Sequence, residues 1–189
     1  MNRIERISVL LGDVALPLMG YFFWKWDLYF ILLFFMLDQL SRVALLHWRL
    51  KLTELANAEK TKLILQASVL LLVEIVLIHA LVFVHQNDIQ FPQEFLKFLK
   101  YKDMGFAQGY ILLPLIFVGE WMRINNELKM GIVGERQLKI LHRSKINTFF
   151  RIGFFAIFIG IIALFPLPER ALVFGFLGML TGLVFLPMK

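Results

Sequence analysis

The chain has 189 residues, 59% of them hydrophobic, with 20 phenylalanines, no cysteine and a formal net charge of +6. A soluble domain of this size has too little interior to hide that much apolar surface. The composition therefore excludes a soluble globular protein and predicts a chain that uses lipid as its solvent. The lack of cysteine excludes disulfides, a thiolate nucleophile and cysteine-based metal sites. No Lys/Arg run stands apart from an apolar segment, so the positive balance points to membrane topology rather than to nucleic acid.

A short basic start, Arg3 and Arg6, leads into an apolar stretch over 7–23 that is interrupted by Asp13 and Pro17. The bulky Tyr21, Phe22, Phe23 and Trp24 stand where a signal peptidase needs small residues, so this reads as an uncleaved first span. A tight turn over Trp24–Asp27 opens the second span, 28–46. Its apolar run from Leu28 to Leu37 is too short to cross a bilayer unless Asp38 and Arg42 are tolerated inside it. They lie at i and i+4 with the acid first, the favourable order for a helical ion pair.

A polar, helix-forming connection over 47–62 precedes the third span, 63–84, which carries Glu74 near its centre and His79 beyond it. Residues 92–102 have Pro92 where a first helical turn accepts it, and phenylalanines and leucines alternating with lysines. This segment reads as a short helix lying in the periplasmic interface. The fourth span, 104–124, contains Pro114 and Glu120. A long basic connection over 125–148, broken by Gly131 and Gly134, leads to the fifth and sixth spans, 149–165 and 171–186, joined by a proline turn.

The expected fold is thus all-α: one polytopic integral membrane domain of six transmembrane helices. Six spans put both termini on one side. Most Lys and Arg residues collect there, while the opposite side holds only Lys25, Lys97, Lys100, Lys102 and Arg170. The positive-inside rule then places both termini in the cytoplasm, at the cell inner membrane. Tyr21, Tyr29, Tyr101 and Tyr110 with Trp24 and Trp26 are expected at the outer interface, and Trp48 and Trp121 at the inner one.

Ionisable residues inside spans are costly enough that function is the default reading. Asp13, Asp38, Arg42, Glu74, Glu120 and Arg123 all fall at the midplane or in the cytoplasmic half. If the first four spans pack together, these residues line one cavity of the kind that carries protons or binds cations. The structural alternative satisfies each acid separately: Asp38 by Arg42, Asp13 and Glu120 at the interface, and Glu74 protonated against a neighbouring span. Glu74 and His79 are about 140° apart around their helix, which makes His79 a packing residue rather than a relay partner. The spacing of His79, His85 and Asp88 matches no metal signature, no cofactor motif is present, and the Gly131/Gly134 segment lacks the ending of a phosphate-binding loop.

Two stripes of small residues mark the last spans: Gly153, Ala156, Gly160 and Ala163, then Ala171, Gly175, Gly178 and Gly182. Such stripes let helices approach closely, either within this hairpin or against a partner. Arg136, Lys139, Arg143 and Lys145 are expected to meet anionic lipid headgroups at the cytoplasmic face. Small size and the absence of a catalytic motif favour a non-enzymatic accessory or assembly subunit of a larger membrane complex. The alternatives are a small proton- or cation-coupled transporter using the carboxylates, as a homo-oligomer, and a membrane-embedded lipid-modifying enzyme.

Overall fold

The computed structural model describes residues 11–51, 53–102 and 108–185, and these are helical with short connections and no strand. A wide π-type turn segment, Leu11–Ala15, runs into α1 (Leu16–Phe23), and Pro17 occupies the first turn of α1. The other helices are α2 (Leu28–Ala44), α3 (Leu46–Leu50), α4 (Asn57–His85), α5 (Phe91–Lys100), α6 (Gln108–Lys129), α7 (Glu135–Leu164) and α8 (Glu169–Phe185).

Three helical stretches are long and apolar enough to cross a membrane: Leu28–Leu50, Asn57–His85 and Glu135–Leu164. The other three expected spans are less clear. The first begins in 7–10, outside the described residues, and the fourth begins in 103–107, also outside them. Helix α6 carries Glu120, Arg123 and Glu127 in its second half, and α8 has 17 described residues.

The polar connections are shorter than composition suggests. Helix α4 starts at Asn57, and α7 starts at Glu135, reducing the basic connection to a turn around Gly131 (φ 68°) and Gly134 (φ 58°). The stretch ERQLKILHRSKINT consists mostly of strong helix formers with neither proline nor glycine, so nothing stops the helix until the apolar half begins.

Helix α2 is the centre of the molecule. Of its apolar window 61% is buried, against 28% for α4 and 17% for α7. The chain enters it through the 24–27 turn. Both Trp24 and Trp26 donate their backbone N–H to the Gly20 carbonyl at 3.0 Å, which folds the Trp26 ring back over Gly20. A Cβ at Gly20 would lie 2.2 Å from that ring, so only glycine fits there. Trp26 is therefore buried at 2% exposure, with its ring tilted against those of Phe30 and Phe34. Asp27 then caps α2 by accepting from Phe30 N at 2.7 Å, and Glu169 at the start of α8 accepts from Leu28 N at 2.7 Å.

Side-chain contacts set the helix directions. Leu28 with Glu169 and Phe35 with Phe176 advance together, so α2 and α8 are parallel. Gln66 with Lys145 and Glu74 with Arg151 make α4 and α7 parallel. Tyr29 meets His79 while Gln39 lies beside the Glu74–Arg151 pair, which sets α2 antiparallel to α4.

Of the two settings expected for the small-residue stripes, contact within the hairpin is made between α7 and α8 at Gly175 only, and contact with a partner chain is not tested by a single chain. Gly153, Ala156, Gly160, Ala163, Ala171, Gly178 and Gly182 are exposed, and Cβ atoms added at Gly153, Gly160, Gly178 and Gly182 would meet nothing within 4 Å. Gly175 alone is tight, against the Phe158 ring. Instead Phe155, Ile162, Leu172, Val173, Phe176 and Leu177 turn inward. Phe176 packs on both Phe35 (5.2 Å) and Phe155 (5.9 Å), because interlocked rings gain more dispersion contact than bare backbones.

Candidate functional site

The buried polar groups gather into two networks. The first joins α2, α4 and α7 around Glu74, which is 1% exposed. Its partner is Arg151 of α7, 5% exposed, whose Nε donates to Glu74 Oε1 at 2.5 Å and whose Nη2 reaches Oε2 at 3.1 Å. The same Nη2 lies 3.0 Å from Gln39 Oε1 and 3.0 Å from Thr148 Oγ1. The Arg151 guanidinium also sits 5.3 Å over the Phe35 ring. Gln39 passes the chain on, donating its Nε2 to Asp38 Oδ2 at 3.0 Å, and Asp38 pairs with Arg42 at 2.7 Å. Asp38, Arg42 and Glu74 thus belong to one continuous line of hydrogen bonds. Glu74 does not stand alone: Arg151 on another helix meets it two-pronged, the geometry guanidinium and carboxylate favour.

The second network joins α3, α6 and the start of α7. Arg49 Nη2 contacts both oxygens of Glu127 at 2.8 and 2.9 Å and lies 3.7 Å from Glu120. Arg123 pairs with Glu120 one turn back at 2.6 Å. Gln137, fully buried, donates to Glu127 Oε2 and to the Ile132 carbonyl, both at 3.0 Å. Glu120 is therefore buried at 6% exposure and held by arginines. The side chain of Asp13 lies outside the described residues.

Arg151, Gln39, Arg49, Glu127 and Gln137 are the members that sequence reasoning missed. Arg151 looks superficial when the fifth span is started at residue 149. Counted from the true helix starts, Glu74 and Arg151 come level. From Asn57 to Glu74 and from Glu135 to Arg151 the rise is roughly 25 Å in both helices at about 1.5 Å per residue. The readable signal was the unbroken helix-forming run from Glu135.

His79 is a packing residue. Its Nδ1 lies 2.8 Å from the Ile75 carbonyl, which assigns the ring proton there and leaves Nε2, 3.3 Å away, to accept from the Tyr29 hydroxyl. Phe91 covers its ring at 4.7 Å. Among the described residues no group of three or more His, Asp or Glu is arranged to hold a metal ion.

In both networks a carboxylate faces an opposing guanidinium with amide groups beside it, although in the second the buried Arg49 Nε, Arg123 Nε and Gln137 Oε1 find no hydrogen-bond partner among the described residues. Such an arrangement fixes which helices meet and at what register. Removing one partner from a buried pair is far more costly than never having built it. Comparison of the chain with protein-family models, curated proteins and solved structures finds no match.

Proposed function

We propose that this chain is a six-span inner-membrane protein with both termini in the cytoplasm, and that it serves as a non-enzymatic accessory or assembly subunit of a larger membrane complex. The observation that carries this reading is the pairing of the buried acids. Glu74 is answered by Arg151 on another helix, Glu127 by Arg49, and Glu120 by Arg123. The polar interior serves to join helices, as a scaffold requires, whereas a carrier needs a carboxylate able to exchange its ion. The second support is the distribution of apolar surface. Helices α4 and α7 expose Leu65, Leu72, Val76, Phe149, Phe150 and Ile157, faces suited to lipid and to neighbouring subunits. Exposed Lys129 and Arg136 beside the Gly131 turn fit anionic headgroups on the cytoplasmic side.

Topology is tested with single cysteines. One at Ser144 should resist a membrane-impermeant reagent in intact cells, and one at Gln90 should react. Labelling at Ser144 from outside would overturn the six-span arrangement. Function is tested by copurification from native membranes in mild detergent without crosslinker. A stoichiometric unrelated protein is expected. A clean homo-oligomer that moves protons or cations in proteoliposomes would replace the subunit reading with transport.

A further inference from the structure

At the end of the bundle where α1 stops and α8 starts, a groove of about 530 Å³ opens beside the 24–27 turn. One wall is apolar: Phe22 and Phe174, 63% and 46% exposed, with ring centroids 6.1 Å apart. The rest of the lining carries two cations, Lys25 and Arg170, and two acids, Asp27 and Glu169. The cations stand beside these acids in sequence, yet among the described residues neither forms an ion pair with them. The reason is that the carboxylates are turned to the start of α2. Asp27 Oδ1 takes Phe30 N and Glu169 Oε1 takes Leu28 N, both at 2.7 Å. One oxygen of each carboxylate is thereby engaged, and a carboxylate has further acceptor capacity on the other.

Lys25 adds a second indication. Its φ of 52° lies in the left-handed region, where glycine would sit without strain. A lysine here keeps a cation at the groove mouth at a conformational cost.

We propose that this groove seats the headgroup of a zwitterionic aminophospholipid, with its phosphate on Lys25 and Arg170, its ammonium toward Asp27 and Glu169, and its first acyl carbons along Phe22 and Phe174. The two cations and two acids sum to zero, which matches a headgroup of both signs better than a net anion. The volume suits a headgroup and the first chain segments. The inference rests on the membrane reading, which puts this end of the bundle at the outward interface.

The test is native mass spectrometry of the full chain in mild detergent, titrated with phosphatidylethanolamine, phosphatidylglycerol, N-acetylated phosphatidylethanolamine and free phosphoethanolamine. Phosphatidylethanolamine is expected to bind about tenfold tighter than each of the other three, the ratio that one well-made charged contact supplies. The double variant Lys25→Gln/Arg170→Gln should lose about that factor while melting at the wild-type temperature without lipid. Lys25→Gly, which relieves the backbone, serves as the second variant and should weaken binding in the same direction. Equal binding of phosphatidylglycerol, unchanged affinity in the variants, or free phosphoethanolamine binding as tightly as the lipid would each overturn the proposal. Alkaline carbonate extraction run in parallel separates this from the reading beneath it: a chain released from membranes refutes membrane insertion itself, whatever the lipid titration gives.

Discussion

The Glu74–Arg151 pair makes the sharpest demand on stability. Both side chains are almost fully enclosed, at 2% and 6% side-chain exposure, and they bridge α4 to α7. Changing Arg151 to Met removes the guanidinium and leaves Glu74 facing Gln39 and Thr148 with no cation. Breaking one member of such a pair costs about 3–5 kcal/mol, because the surviving charge keeps its desolvation penalty. For a chain of this length that corresponds to a fall of roughly 10 °C in Tm. The double change Glu74→Leu/Arg151→Met removes both charges and leaves mainly the Gln39 carbonyl oxygen without its donor, a cost of about 1–3 kcal/mol. The double variant should thus melt several degrees above the Arg151→Met single variant. The measurement is Tm in detergent micelles, followed by loss of monodisperse protein. Equal damage from the single and double changes would refute the pair and mean that each residue answers to its own partner.

Further outcomes follow from other parts of the structure. Arg49→Met should lower folded yield more than Arg42→Met, because Arg49 and Glu127 are enclosed whereas Arg42 and Asp38 keep about a fifth of their side-chain surface exposed; the reverse order would contradict the second network. Gly20→Ala should destabilise by about 1–3 kcal/mol through collision with the Trp26 ring, while Gly160→Ala, whose Cβ meets nothing, should be neutral for the single chain. A collapse of the Gly160→Ala variant into smaller species on size exclusion would instead place that stripe in an interface between chains. Asp27 has a pKa raised from the usual 3.8, chiefly by burial and further by Glu94 and Glu169, with the Phe30 N–H bond pulling the other way. A raised carboxyl value means the folded chain holds its proton more tightly than the unfolded one. That contribution is complete below 3.8 and lost as pH rises through the folded value. Asp27→Asn, which still caps α2, should therefore be the more stable form at neutral pH in lipid-free detergent, with the gap closing on acidification. A gap that widens on acidification would refute this assignment. Finally, Glu74→Gln should lower stability without altering ion flux in proteoliposomes; a stable but transport-dead variant beside an active wild type would overturn the scaffold reading.

Composition and periodicity by themselves determined the helical class, the apolar stretches of α2, α4 and α7, the short α5 with Pro92 in its first turn, and the i to i+4 geometry of Asp38 and Arg42. These are local properties, decided by neighbouring residues and by the dimensions of one helix. What only the tertiary structure decided is which charge meets which. Arg151 pairs with Glu74 because two helices that start at Asn57 and Glu135 run parallel and bring equal depths together, and helix starts are the least legible feature of a polar, helix-forming stretch. The fate of the small residues was likewise undecidable from their spacing. A stripe of glycine and alanine permits close approach, but whether it is used depends on where the large rings of Phe155 and Phe176 go, and those follow α2. Trp26 illustrates the same limit: two backbone hydrogen bonds to the Gly20 carbonyl, from Trp24 and Trp26, fold its ring into the core against Phe30 and Phe34, contacts that spacing does not reveal.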